Sequence, residues 1–324
     1  MSSRVPLLLL VAATSLMAVL YLGRRRRRSA EPTQDEPATK RRRVEEPASP
    51  RSVLDGVEEP AVPPSVLDGA EQRPRITHRE YTFTLTGESL PYALFVPPQL
   101  QEPAPLLLCL HGLDYSYDSL LSDALLDAAS AASMIVVAPL GYTRTAWYGA
   151  PNLLARGNVT VDGRRSEADV LEVLALVRRE FKIGKVYAYG WSMGGAGALH
   201  LALKHRIFAA LALVAPAIGI PGRIEPFTTR ERLATIADVP AIVFQGRWDA
   251  PVPVEQTRRL VADMRGAGMQ ARYVERPDEG HELPSSEQRW GRQGYAGVVA
   301  NAMVRLVRRG QPTDCGYAVA VRFR

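Results

Sequence analysis

The chain has 324 residues, of which 46% are hydrophobic and 23% are charged. That composition is ordinary for a globular protein and excludes a collagen-like or wholly disordered chain, and the length allows one large α/β domain plus a tail. The formal net charge of +6 comes largely from the N-terminus, where residues 24–28 and 40–43 carry five and four positive charges. The rest of the chain is near neutral, so the overall charge does not indicate a nucleic acid or an acidic substrate as the partner.

Residues 5–23 form an apolar stretch of 19 residues without a charge. A helix of that length can cross a bilayer. Five Arg follow at once and oppose translocation, so we predict a retained single-pass anchor at residues 1–28 with the following chain in the cytosol. The alternatives are a cleaved signal peptide and a secreted or lumenal domain, in which the sequon at Asn158 could carry a glycan.

Residues 29–75 are rich in Pro, Glu and Arg and poor in aromatic residues, so we predict a disordered linker. Residues 44–56 recur as residues 57–69 with two changes, a duplication of 13 residues. Two short copies are too few for a solenoid, so the duplication is interpreted as part of a tether, with a doubled docking peptide as the alternative. Beside an anchor, the basic runs are interpreted as segments that set topology and touch anionic lipid. The alternatives are a nuclear address and a nucleic-acid patch.

Strand and helix patterns alternate from residue 81 onward. Strands are predicted at residues 81–86, 92–96, 106–110, 134–138, 186–189, 209–214, 241–245 and 272–275. Helices are predicted at residues 119–132, 167–181, 194–204, 254–265 and 287–309. This alternation is typical of an α/β domain with a mostly parallel, eight-stranded sheet and helices on both faces, here at residues 76–310 with a tail at 311–324. Only 26 residues separate Val214 from Ala241, which leaves room for a short helix near 229–236 and predicts a minimal cap.

The most informative motif is Gly-Trp-Ser-Met-Gly, with Ser192 at its centre. It lies between an apolar strand and a helix, as in the nucleophile elbow of G-x-S-x-G hydrolases. The turn is tight and strained, so its neighbours must be small. Upstream, a buried strand runs into His111, Gly112 and Leu113. The backbone N–H groups of Met193 and Leu113, or of Gly112 in place of Leu113, are therefore candidate donors to an oxyanion, with a structural role for His111 beside them.

Two further residues complete the candidate site. Asp249 follows a buried strand that ends in a Gly turn, where open α/β sheets place their sites, although Asp is also common in turns and at helix N-caps. The chain has five His, and His281 is the one that follows Asp249. In hydrolases of this kind the triad residues follow in the order Ser, acid, His, so His281 is predicted to be the base. The alternative is that His281 is simply a solvated residue of a loop. Asp278 is a substitute candidate for the acid. Trp147 and Tyr148 are candidate pocket walls, or simply packing residues beneath a loop.

These motifs resemble the α/β-hydrolase superfamily over residues 81–309. Leu-His-Gly at 110–112, Gly-Trp-Ser-Met-Gly-Gly at 190–195, Gln-Gly-Arg-Trp-Asp at 245–249 and Gly-His at 280–281 are similar to those of compact esterases. Within the superfamily, the chain most resembles polyhydroxybutyrate depolymerases, feruloyl esterases and prolyl-oligopeptidase-like enzymes. It lacks the Gly-rich run that many lipases carry after the His-Gly, which leaves the oxyanion donor open.

The expectation is a membrane-tethered serine hydrolase that cleaves small carboxylic esters or thioesters through Ser192, His281 and Asp249. No cofactor, metal or nucleic acid is expected, since no Cys/His cluster has metal-ligand spacing and the two cysteines, Cys109 and Cys315, form no disulfide framework. The alternatives are a serine peptidase on the same scaffold and a non-catalytic scaffold that recruits partners through the linker repeat.

Overall fold

The computed structural model describes residues 76–281. The predicted anchor, the linker, the helix expected at 287–309 and the tail lie outside the described residues. Within residues 76–281, no helix has both the length and the apolar character needed to cross a membrane.

The described residues form one eight-stranded sheet with the strand order β1-β2-β4-β3-β5-β6-β7-β8. β2 runs antiparallel to both of its neighbours, and all other neighbouring strands are parallel. The strands are β1 (Thr77–Thr82), β2 (Ser89–Phe95), β3 (Ala104–Leu110), β4 (Ile135–Pro139), β5 (Ile183–Trp191), β6 (Ala210–Val214), β7 (Ala241–Gly246) and β8 (Ala271–Arg276). The predicted α/β class and the mostly parallel eight-stranded sheet are confirmed.

The central strands are apolar on both faces because helices cover both sides of the sheet. Alternate side chains of a strand point to opposite faces. In β3, Leu106, Leu108 and Leu110 accordingly belong to one buried cluster, whereas Leu107 and Cys109 belong to the other. Such continuous apolar runs are typical of parallel strands buried on both faces.

Five α-helices accompany the described sheet, besides two short 3-10 helices at Trp147–Gly149 and Leu153–Ala155. The α-helices are α1 (Asp123–Ala131), α2 (Val161–Glu180), α3 (Met193–His205), α4 (Arg230–Ala234) and α5 (Val254–Gly266). All of residues 215–240, between β6 and β7, are described, and α4 is their one helix. The predicted minimal cap between β6 and β7 is therefore confirmed.

Most element boundaries differ from the predictions by a few residues, and two of the larger differences have a clear local cause. α2 begins six residues before the predicted start at residue 167 because the side chain of Thr160 accepts the N–H of Gly163 at 2.9 Å and caps the helix. The first strand was predicted at 81–86, but the chain turns back after Thr82. The N–H of Gly87 bonds to the carbonyl of Phe83 at 2.8 Å, and Gly87 has a φ of 75°, which closes this turn.

Candidate active site

Ser192 lies in a strained turn between β5 and α3. Its φ is 56° and its ψ is −114°, a conformation that L-residues rarely adopt. A Cβ at Gly190 would overlap the carbonyl of Gly194, and one at Gly194 would overlap the carbonyl of Leu110. The two glycines of the motif thus allow β5, α3 and the end of β3 to approach closely. The turn is held by the N–H of Ser192, which donates to the carbonyl of Val214 at 2.8 Å.

The structure brings Ser192, His281 and Asp249 together. Ser192 Oγ lies 2.9 Å from His281 Nε2, and His281 Nδ1 lies 2.8 Å from Asp249 Oδ2. With a proton on Nδ1, the imidazole donates to the carboxylate and can accept the hydroxyl proton of Ser192 at Nε2. The Ser192 and Asp249 residues are only 8% and 5% exposed. The arrangement is therefore a connected line of hydrogen bonds in which the acid is buried and the imidazole is partly exposed.

Asp249 is fixed by donors other than His281. Its Oδ1 accepts the N–H of Val252 at 2.7 Å, and its Oδ2 also accepts the side-chain amide of Gln245 at 2.9 Å. Asp249 therefore also stabilises the turn through Oδ1, which is the structural role given above as its alternative. Its Oδ2 faces the imidazole of His281. It is not an N-cap, because Pro253 occupies that position of α5.

Gln245 is a site residue that the sequence reasoning missed. It is fully buried, and its Nε2 donates both to Asp249 Oδ2 and to the carbonyl of Val252, each at 2.9 Å. The hydroxyl of Thr257 donates to its Oε1 at 2.8 Å, which sets the orientation of the amide. The available signal was a polar residue in an otherwise apolar strand, four residues before the acid.

The turn that carries His281 packs directly on the end of β7. A Cβ at Gly246 would overlap the carbonyl oxygen of Gly280, so only glycine fits there. The N–H of Trp248 donates to the carbonyl of Glu279 at 2.8 Å. Asp278, the substitute acid, is exposed. Asp249 is therefore the carboxylate that faces the imidazole.

Met193 and Leu113, the candidate oxyanion donors, lie on the two elements expected for them. Met193 is the first residue of α3, where N–H groups have no partner within the helix. Leu113 follows β3 on the neighbouring loop. Among the loop and cap hydrogen bonds of the described residues, none uses either N–H group. Their role as donors stays a prediction.

His111 lies between two loops beside the site. It is fully buried, with Nε2 at 2.8 Å from the carbonyl of Leu140 and Nδ1 at 2.7 Å from the carbonyl of Gly112. Burial lowers the pKa of His111, although both carbonyl contacts act in the opposite direction. His111 therefore connects the loop after β3 to the loop after β4.

Trp147 and Tyr148 are corrected from pocket walls to packing residues. They are only 3% and 0% exposed, so neither offers a surface to a ligand. Tyr148 packs over Gly197 of α3, where a Cβ would come within 2.6 Å of its ring. Its backbone N–H donates to the hydroxyl of Ser166 at 3.1 Å. The alternative interpretation, packing beneath the loop, describes both residues.

A second cluster of charged groups lies between α2 and α3, around Glu167. Its carboxylate contacts His200 at 3.2 Å, Lys204 at 2.8 Å and His205 at 2.5 Å. Burial by itself raises the pKa of Glu167, but the three hydrogen bonds outweigh that effect and hold the pKa at about 2. Within residues 76–281, no set of three or more His, Cys, Asp or Glu side chains is arranged to hold a metal ion.

Comparisons with known proteins agree with this architecture. The sequence model of a family described as "Serine aminopeptidase, S33" matches residues 160–237, which include Ser192 but neither Asp249 nor His281. NocK, a candidate esterase of Nocardia uniformis subsp. tsuyamanensis, is 32% identical over 192 residues, which are 53% of this chain and 54% of NocK. The chain thus matches about half the length of this curated relative.

Solved structures of esterases share the fold. A ferulic acid esterase from Anaeromyces mucronatus has a TM-score of 0.55 at 18% identity, over 71% of this chain and 93% of the esterase. An S-formylglutathione hydrolase from Agrobacterium tumefaciens has a TM-score of 0.53 at 16% identity, over 73% of this chain and 96% of the hydrolase. These structures show that the chain has the α/β-hydrolase fold. Together with the sequence match to NocK, they confirm the resemblance to compact esterases.

Proposed function

We propose that this chain is a membrane-tethered serine hydrolase that cleaves carboxylic esters or thioesters. The observation that carries the proposal is the line of hydrogen bonds from Ser192 through His281 to Asp249, at 2.9 and 2.8 Å. A nucleophile, a base and a group that orients the base are what acyl transfer needs, and here they meet at a strained turn.

In the first half of the proposed reaction, His281 Nε2 takes the proton of Ser192 as Oγ attacks the carbonyl carbon. The N–H groups of Met193 and Leu113 stabilise the negative charge that forms on the carbonyl oxygen. Asp249 stabilises the resulting imidazolium. His281 then passes its proton to the leaving oxygen or sulfur, and the acyl group stays on Ser192.

In the second half, water takes the place of the leaving group. His281 removes a proton from this water as its oxygen attacks the acyl carbon, and the same oxyanion donors act again. The proton then returns to Ser192 Oγ as the acid product departs. No cofactor takes part in either half.

The named activities of related proteins support ester and thioester substrates. NocK is a candidate esterase, and the neighbouring folds include a ferulic acid esterase and a hydrolase of an S-formyl compound, whose acyl group is bound to sulfur. The minimal cap between β6 and β7 favours small or accessible acyl groups over a deeply enclosed lipid chain.

A serine peptidase is the second candidate, because the matching family model is described as a serine aminopeptidase. The two candidates differ in the leaving group, an alcohol or thiol in one case and an amine in the other. A panel of 4-nitrophenyl esters, acyl thioesters and aminoacyl amides, with acyl chains of increasing length, separates them. We expect turnover of the esters and thioesters, and preferential turnover of the amides would favour the peptidase.

The variants His281→Ala and Asp249→Asn connect this activity to the site. We expect His281→Ala to abolish most turnover, and Asp249→Asn to lose on the order of 10⁴ in kcat because the imidazole loses its orienting carboxylate. A wild-type chain that turns over no member of the panel and resists a fluorophosphonate probe would instead favour a non-catalytic scaffold.

The membrane tether is proposed from residues 5–23 and the Arg run that follows them. The full-length chain is then expected to stay in the membrane pellet after alkaline carbonate extraction, with its catalytic domain open to protease from the cytosolic side. Deletion of residues 1–28 is expected to release an active, soluble enzyme. A glycan on Asn158 in cells would reverse the topology.

A further inference from the structure

Trp191, the residue before the nucleophile, contacts two different parts of the site. Its ring lies 5.3 Å from that of His281, centroid to centroid, with an angle of 33° between the ring planes. On the loop after β3, the ring of Tyr115 meets it edge-on at 4.7 Å. Trp191 is only 2% exposed, so it is held between these neighbours.

The indole also lies against Gly112, next to the candidate oxyanion donor Leu113. A Cβ at Gly112 would come within 2.5 Å of Trp191 Cε3 and 2.6 Å of Cζ3. The six-membered part of the ring therefore lies directly on the backbone of Gly112. One rigid side chain thus separates the base from the oxyanion loop and touches both.

The indole N–H group is the polar part of the Trp191 side chain. Trp191 Nε1 is buried, and it has no hydrogen-bond acceptor among the described residues. Burial of an N–H group without a partner costs free energy, so a Phe or Leu would avoid a penalty that Trp incurs. The ring face and its shape are the features of Trp191 that the site uses.

We propose that Trp191 is a positioning residue for the hydrolase, an inference that rests on the proposed function. Its face stabilises the imidazolium that forms when His281 takes the proton of Ser192, and its edge holds Gly112 in place. A cation within about 6 Å of a Trp ring centroid is attracted by the negative face of the ring, and the distance to His281 meets this condition. Because the positive charge exists mainly in the transition state, this attraction raises kcat more than it lowers KM.

Fluorinated tryptophan tests the role of the ring face without changing its shape much. The full-length chain is produced with 5-fluoro-, difluoro- and trifluorotryptophan, and kcat and KM are measured on a 4-nitrophenyl ester. The chain has four Trp, so the Trp191→Phe variant with the same three analogues is the matched control. We expect kcat to fall with each added fluorine, by roughly two- to fivefold in total, with KM little changed.

The Trp191→Phe chain should not respond to fluorination, because Trp191 is the indole that packs on the His281 ring among the described residues. A similar fall of kcat in both backgrounds would overturn the proposal, and so would an unchanged kcat in the native background. Trp191→Leu should lose more activity than Trp191→Phe at equal thermal stability. Phe95→Leu, which alters a buried aromatic on β2, shows how much activity is lost by core damage alone.

Failure of this inference can be told apart from failure of the proposed function. If the unsubstituted chain hydrolyses the ester and Ser192→Ala does not, a missing fluorine response overturns only the role of Trp191. If the unsubstituted chain has no hydrolase activity, the proposed function and this inference are both overturned.

Discussion

Gln245 provides a sharp test of how the site is held together. Gln245→Leu puts an apolar side chain of roughly similar size in this position and removes the amide that donates to Asp249 Oδ2 at 2.9 Å. The Asp249–His281 hydrogen bond is left in place, so the loss should be smaller than the roughly 10⁴-fold loss expected for Asp249→Asn. A hydrogen bond to a charged group contributes about 1.5–3 kcal/mol. At about 1.4 kcal/mol for each factor of ten, kcat/KM should fall roughly 10- to 100-fold.

The same substitution should lower stability by a separate amount. Leu at position 245 leaves the carbonyl of Val252 and the hydroxyl of Thr257 without the partners they have at 2.9 and 2.8 Å. Each buried group left unpaired costs roughly 1–3 kcal/mol. The two groups together cost about 2–6 kcal/mol, so the variant stays folded at 25 °C if the domain lies in the upper part of the usual range of about 5–15 kcal/mol.

Steady-state kinetics on a 4-nitrophenyl ester and thermal unfolding, measured on the same preparations, separate the two effects. Thr257→Val is the matched control, since it removes the donor to Gln245 Oε1 but leaves the amide that reaches Asp249. We expect this control to lose stability while kcat/KM stays within roughly threefold of wild type, because one neutral hydrogen bond is lost. A folded Gln245→Leu variant with wild-type kcat/KM would refute the role of Gln245 in orienting the acid.

Two further predictions follow from other contacts. The pKa of about 2 for Glu167 lies below the ordinary 4.5, so its ion pairs stabilise the fold above pH 4.5 and lose that effect as the pH falls towards 2. The free energy of unfolding should drop by at most about 3 kcal/mol over this range in urea titrations, and Glu167→Gln should lack this component. Gly112→Ala would bring a Cβ within 2.5 Å of the Trp191 ring, whereas at Gly184 a Cβ meets nothing closer than 3.5 Å. We expect Gly112→Ala to lose more than about tenfold in kcat/KM and Gly184→Ala to stay near wild type, and equal activity would contradict the packing described.

The central strands and the neighbourhood of Ser192 were predictable because both depend on local patterns. Continuous apolar runs predict strands buried on both faces, and the carboxyl ends of parallel strands meet at one edge. Asp249 and His281 follow β7 and β8, two neighbouring parallel strands, so their proximity to Ser192 could be expected from the order of elements. Two glycines in five residues indicated the sharp turn directly.

Other features depend on contacts between distant segments and could not be predicted. Tyr148 is buried because Gly197 of α3 makes room for its ring, and that pairing joins residues 49 positions apart. The turn after β1 depends on how β1 pairs with β2, with Thr82 opposite Ser89. Gln245 reaches Asp249 only because the intervening turn folds back on the strand. Each of these cases requires the tertiary fold before the role of the residue can be seen.

Fluorophosphonate labelling and ester hydrolysis by Ser192→Ala, measured beside the wild-type chain, test the central claim most directly. A working nucleophile of this kind contributes on the order of 10⁶ in rate, so the variant should take up no probe and show no turnover above background. Thermal unfolding of the two chains should be similar, since the substitution removes only the hydroxyl. A folded Ser192→Ala variant with activity within about tenfold of wild type would contradict the assignment of Ser192 as the nucleophile.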